Sequence, residues 1–463
     1  MEKYINDELL NKFENEYSKH KEYKVIGNAI KKNGIFNVAY NEDSLKDLKP
    51  NFNLEVKNIG EITNQKQSGR CWMFAGLNVL RKILIKNLKV DDIELSESYL
   101  FFYDKIEKSN TILEEVISSI DEKEDSRLLD SIVMNIGPEN DGGYWHYFTN
   151  LVKKYGVCPK DVKGEVYSSS KSSEMDYLLE VLIKKDVVIL RNDYKLNKDL
   201  NHLRELKETM LKDIYKLLSM CLGTPLKEFD YTYKDKDESK KDEDNKENKK
   251  EEKESSENKL NVIHTTPKKF YEDYIKEDLD EYVVLTNYPC TGFKDYEVYS
   301  QKLITNVVEG SKIKIYNVPI EELKYSAIES FKNNEVCWFA CDVGSSSLRM
   351  DGYLSTEILP FNDVFDIDFN YSKGDRAYFK ASTCNHAMVL GGCNLDSNGK
   401  PTIWKVINSW GSDCGVKGIY VMSDKWFNEY TYEVVVKKSR LSSKVKEMLN
   451  KEPIEKEIWN SIF

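Results

Sequence analysis

Between Lys234 and Lys259 the chain reads KDKDESKKDEDNKENKKEEKESSENK, with no aliphatic or aromatic side chain and nine Lys against eleven Asp and Glu. Such a stretch cannot offset its ordering entropy by burial, so it reads as a disordered, solvated insertion rather than a partner-binding tail. Any fold must therefore be built from the segments on either side, and these follow different periods. Upstream, Cys71–Leu88 carries aliphatic residues at helical spacing without an internal Pro. Tyr177–Lys184 and Leu200–Leu222 repeat the pattern, the latter with a stripe of Leu200, Leu203, Leu206, Met210, Ile214 and Leu217. Downstream the period falls to two. Tyr282–Thr286, Ile313–Pro319, Val336–Val343, Ala387–Leu390, Pro401–Ile407 and Gly418–Met422 read as strands, with one helix at Ile320–Asn333. Helices first and strands later predict an α+β fold with two lobes.

The 463 residues give a length prior of about three domains, or of one enlarged fold with insertions. No run approaches the roughly 18 apolar residues of a spanning helix, so no membrane partner is expected. The first residues, Met1 to Glu8, mix both charges without an apolar stretch, so no secretory signal is expected and the location reads as cytoplasmic. The net charge of -11 counts against nucleic acid as a partner. The nine cysteines, scattered and odd in number, read as reduced thiols, mostly packing residues.

Three segments bear chemistry. In Asn64-Gln65-Lys66-Gln67-Ser68-Gly69-Arg70-Cys71-Trp72 a polar loop runs straight into the apolar helix. A thiol at that start sits where free backbone N–H groups favour negative charge, which lowers a cysteine pKa. A buried packing thiol is the plain alternative. Gln65 lies on the same loop with an amide able to donate, as an oxyanion hole requires. Of the five histidines, His386 stands at the mouth of an apolar strand, in Asn385-His386-Ala387-Met388, and is the candidate proton partner of a thiolate. Asn408, in Val406-Ile407-Asn408-Ser409-Trp410-Gly411, ends another apolar strand and could fix the imidazole tautomer, with Trp410 as a shield. Each segment alone has a structural reading, as a packed ring or a plain turn. Cys384, His386, Cys393 and Cys414 lack the paired spacing of a zinc site, so no metal or cofactor is expected.

Together these segments resemble the catalytic regions of papain-like cysteine peptidases, and more closely the bleomycin hydrolase and aminopeptidase C branch. The loop Asn-Gln-Lys-x-Ser-Gly-Arg-Cys-Trp matches that branch, as do Asp141-Gly142-Gly143, Tyr155 to Lys160, Cys341-Asp342-Val343-Gly344 and Trp426 to Tyr430. His386 follows Cys71 by 315 positions, against about 130–150 in compact papain-type enzymes. That excess fits an enlarged, papain-like two-lobed fold with helical insertions.

The chain is expected to divide into an N-terminal extension over 1–52, a helical lobe over 53–233, the charged insertion over 234–259, a strand-rich lobe over 260–440 and a C-terminal arm over 441–463. The resemblance implies Cys71 as nucleophile, His386 as base and acid, Asn408 as orienting residue, and Gln65 with the Cys71 N–H as oxyanion hole. Gly142 and Gly143 would let the substrate backbone approach closely. It further implies a homohexameric cage acting on peptides, or on bleomycin-like amides, as a cytosolic aminopeptidase. In that branch the C-terminal carboxylate meets the substrate amine. Here the chain ends in Ile462-Phe463 rather than in small residues, so a blocking carboxylate at Phe463 is an expectation. An acyl transferase using the same thioester is a second reading, and a non-catalytic assembly or nucleic-acid-binding protein a third.

Overall fold

The computed structural model describes residues 3–123, 126–135, 137–234 and 260–458; most of the charged insertion and Phe463 lie outside them. The helix Cys71–Leu88 forms where the apolar period predicts it and is buried on nearly every face. Its only glycine, Gly76, admits a neighbour, since a Cβ there would fall 2.7 Å from the Phe148 ring. That close approach seats the helix Trp145–Tyr155 against it. Glu97–Ser118 packs alongside and starts on Ser96, whose hydroxyl accepts the Tyr99 N–H at 3.1 Å. Such caps contribute about 1 kcal/mol. Two long helices, Ser173–Asn197 and Leu200–Leu222, cover Glu97–Ser118 from outside. The expected Tyr177–Lys184 helix is thus one part of a 25-residue element.

The second half is a sheet. Along its centre Tyr282–Thr286, Thr431–Lys437, Cys337–Cys341, His386–Leu395, Pro401–Ile407 and Ile419–Ser423 lie side by side, each pair antiparallel. Thr431–Lys437 was not expected as a strand, although Val434-Val435-Val436 marks it as one. The strand from His386 runs five residues past its expected end at Leu390 and changes partner on the way. Residues 386–390 pair with Cys337–Cys341, while Gly392 and Cys393 pair with Leu54–Glu55 from the start of the helical half. Gly392 permits this crossing, because a Cβ there would meet the Leu54 carbonyl at 2.6 Å. The helix Ile320–Lys332 covers one side of the sheet, and Cys71–Leu88 packs on the His386 strand.

Lys234, placed in the insertion by composition, instead ends the strand Phe229–Lys234, which pairs antiparallel with Leu260–Thr265. Lys234 faces Leu260 directly, so the residues on either side of the insertion are held together. The two helices Asp7–Ser18 and Lys21–Asn33 bury none of their residues. Among the described residues no helix is long and apolar enough to cross a membrane.

Candidate active site

Cys71 occupies the first turn of its helix, facing a cleft of about 550 Å³. The Met73 and Phe74 N–H groups already bond the Arg70 carbonyl, so those of Cys71 and Trp72 have no partner within the helix. Arg70 is fully buried and holds the turn in place. Its guanidinium forks onto Glu165 at 2.8 and 3.1 Å, donates to the Ser68 hydroxyl, and lies over the rings of Phe74 and Phe101. Sequence reasoning gave Arg70 no role. Its signal was a cation immediately before an apolar helix.

His386 enters from the facing strand. Its Nε2 lies 3.0 Å from Asn408 Oδ1. The same Oδ1 accepts the Ser409 N–H at 2.8 Å, which fixes the amide with its oxygen toward the ring. Nε2 must therefore carry the hydrogen, and Nδ1 is left as the basic nitrogen. Trp410 lies against the imidazole, ring centres 4.7 Å apart, and covers this bond. Gln65 sits beside them. Its Oε1 accepts the Ser409 hydroxyl at 2.7 Å and its Nε2 donates to the Ser68 carbonyl at 2.7 Å, leaving one N–H of the amide unspent. The structure thus gathers Gln65, Cys71, His386, Gly142 and Gly143 along one cleft, with Asn408 behind the imidazole.

Electrostatics depart from the expectation for a thiol at a helix start. Burial pushes the Cys71 thiol up, against the backbone N–H groups of Ala387, Trp72 and Cys71, which favour the thiolate. Burial likewise pushes the His386 imidazole down, to about 4, against its bond to Asn408. Each charge taken singly is disfavoured in this dry site. A thiolate and an imidazolium formed together would offset that cost by their mutual attraction.

The far wall of the cleft is the loop around Asp141. Its carboxylate accepts the Gly69 N–H at 2.8 Å and pairs with buried Lys105 at 2.6 Å, and its carbonyl accepts the Trp72 indole N–H at 2.7 Å. Asp141 thereby ties the Cys71 loop to the helical half, a role that sequence reasoning missed. Lys108 donates to the carbonyls of Asn140 and Gly142 at 2.8 and 2.7 Å. Gly143 has a packing reason of its own, since a Cβ there would fall 2.6 Å from the Trp72 ring. The other histidines stand apart. His146 is held near 4 by burial and accepts the Lys314 N–H, and His264 pairs with Asp230 on the exposed hairpin. Among the described residues no three His, Cys, Asp or Glu side chains converge as a metal would require.

Comparison with known proteins gives the same direction. The profile of the Peptidase C1-like family matches residues 4–463. Aminopeptidase C of Listeria monocytogenes is 38% identical over 460 residues, covering 99% of this chain and 98% of the relative. Aminopeptidase C of Lactococcus lactis subsp. cremoris is 36% identical, over 95% of this chain and 94% of that one. The crystal structure of pepw from Lactobacillus rhamnosis superposes with a TM-score of 0.91 at 35% identity, covering 99% of this chain and 98% of that one. With its two halves meeting at a cysteine–histidine cleft, this chain belongs to the Peptidase C1-like family.

Proposed function

We propose that this chain is a cysteine aminopeptidase that removes N-terminal residues from peptides through an acyl-thioester on Cys71. The observation that carries the reading is the His386–Asn408 bond, which leaves Nδ1 as the basic nitrogen of a ring that lines one cleft with Cys71. His386 Nδ1 takes the thiol proton as Sγ attacks the substrate carbonyl carbon. Negative charge then gathers on the carbonyl oxygen, where the Cys71 N–H and the unspent Gln65 N–H can meet it. His386 returns the proton to the leaving amine, and the C–N bond breaks to leave the thioester. Water, deprotonated by the same nitrogen, hydrolyses it and frees the thiol. Amides of the bleomycin type offer the same carbonyl chemistry.

The reading extends to a cytoplasmic homohexamer in which the Phe463 carboxylate meets the substrate amine, while Gly142 and Gly143 line the path of the substrate backbone. Apolar surface on the N-terminal helices supports assembly: Leu10, Phe13, Val25 and Phe36 are all exposed. Light scattering should give about six times the chain mass of 54.0 kDa, and a monomeric mass would remove the hexamer. For the chemistry, fluorogenic aminoacyl amides should be cleaved by the wild type and left at background by Cys71→Ala. Equal rates from the two proteins would sink the peptidase reading.

A further inference from the structure

A second cavity, of about 810 Å³, lies against the last turns of the helix that carries Cys71. Val79, Lys82, Ile83 and Lys86 of that helix line one side, and residues 273–277 and 333–336 line others. None of its lining residues lines the Cys71 cleft. Lys82 stands eleven residues along the helix from Cys71, roughly 16 Å at the helical rise.

Lys82 is 7% exposed, yet its ammonium has no hydrogen bond or ion pair among the described residues. It donates to no helix carbonyl, so it does not cap the helix. The one charge that acts on it is that of Lys86, another cation one turn on. Burial, and then that repulsion, hold its ammonium below the ordinary lysine range. Lys86 and Lys276, both exposed, also have no acid partner among the described residues. Two of the lining acids are committed elsewhere. Lys437 lies 2.6 Å from Glu277 and 3.6 Å from Glu335, and Arg440 forks onto Glu335 at 2.7 and 3.0 Å. The remaining acid, Asp273, is exposed. Lys82, Lys86 and Lys276 against Asp273 leave an excess of positive charge at the cavity, in a chain whose net charge is -11.

A buried ammonium without a counter-ion is costly, and an anion seated in the cavity would remove that cost. The lining contains lysines and no arginine. Point charges of this kind suit a phosphate, whereas a planar carboxylate favours the arginine fork. The volume exceeds what a free phosphate fills and is usual for a small-molecule site, and Tyr233, Tyr274 and Tyr282 line it with aromatic surface for the rest of a ligand.

We propose that this cavity binds a phosphorylated small molecule, with Lys82 as the buried counter-ion of its phosphate and Lys86 and Lys276 at the rim. Equilibrium dialysis of the full chain against radiolabelled pyrophosphate, at physiological ionic strength, tests it. Wild type should bind the probe, and Lys82→Met should bind it about tenfold more weakly, the scale of one charge-assisted hydrogen bond. Lys82→Arg, which keeps the charge, should fall in between. Lys82→Met should melt at or above the wild-type Tm, because it removes an unpaired buried charge, so lost binding would not be lost folding. Cys71→Ala should bind as the wild type does, which keeps the outcome independent of the peptidase reading. Four results would each overturn the proposal: no binding by wild type, equal affinity in Lys82→Met, loss of binding in Cys71→Ala, or displacement by citrate more readily than by unlabelled pyrophosphate.

Discussion

Asn408 and His386 make one unit, because an acceptor fixed by the Ser409 N–H decides which imidazole nitrogen stays basic. Asn408→Ala removes that acceptor and lets the ring turn or change tautomer. Under the proposed mechanism kcat should fall by about 10²-fold, the scale of a displaced general base, while KM changes little. Steady-state kinetics check this, and an unchanged kcat would remove Asn408 from the mechanism. The pH dependence of the thiol follows from burial. With its folded pKa raised, an isolated Cys71 thiol ionises only above the ordinary thiol range, whereas under the proposed mechanism a thiolate paired with imidazolium would form well below it. Iodoacetamide alkylation of the wild type should therefore begin at lower pH than alkylation of His386→Ala, which must wait for the raised thiol to ionise. Coincident profiles would show that the two groups do not ionise as a pair. Cys71, His386 and Asn408 stood out in the sequence because each ends or begins an apolar run with a polar loop beside it.

At the scale of elements, the Cys71 helix is placed by what grips its first turn. Asp141 bonds the Gly69 N–H, the Ser172 hydroxyl and Lys105, and the last is wholly buried. Lys105 and these bonds hold the Asp141 carboxyl well below its usual range, although Asp176, which shares Lys105, is pushed up to about 6. Asp141→Asn leaves Lys105 with half of its counter-charge, and removing one partner of a buried pair costs about 3–5 kcal/mol. A carboxyl lowered in the folded state stabilises above its unfolded pKa and loses that contribution as the pH falls. The gap in Tm between wild type and Asp141→Asn should thus be largest near neutral pH and narrow below about pH 4. A gap independent of pH would mean that Asp141 acts by shape and not by charge. The boundary of the charged insertion belongs to this scale too. Composition placed Lys234 outside the fold, because a Lys next to Asp235 resembles the run that follows. The pairing of Phe229–Lys234 with Leu260–Thr265 places it inside, since backbone bonds to a neighbouring strand do not depend on an apolar side chain.

For the whole molecule, the direct pairing of Lys234 with Leu260 means that residues 236–258 can be exchanged for a two-residue Asn-Gly turn without moving either strand. Calorimetry of that variant should give a Tm within about 2 °C of wild type, since loop length enters stability only through a slow logarithm. A drop several times larger would show that the insertion packs on the body. The two-lobed α+β arrangement was legible from the change of period, because one buried stripe specifies a helix and alternation specifies a strand whatever lies far away. Order within the sheet was not legible. Thr431–Lys437 inserts between Tyr282–Thr286 and Cys337–Cys341 although it follows both by nearly a hundred residues or more. By itself the sequence determined the elements, the polar loop before Cys71 and the kinds of side chain available for catalysis, because these depend on neighbours within a turn or a strand. Only the tertiary structure decided which nitrogen of His386 is basic and how burial shifts the thiol and the imidazole. Those properties come from desolvation and from partners hundreds of positions away, and no local pattern encodes them.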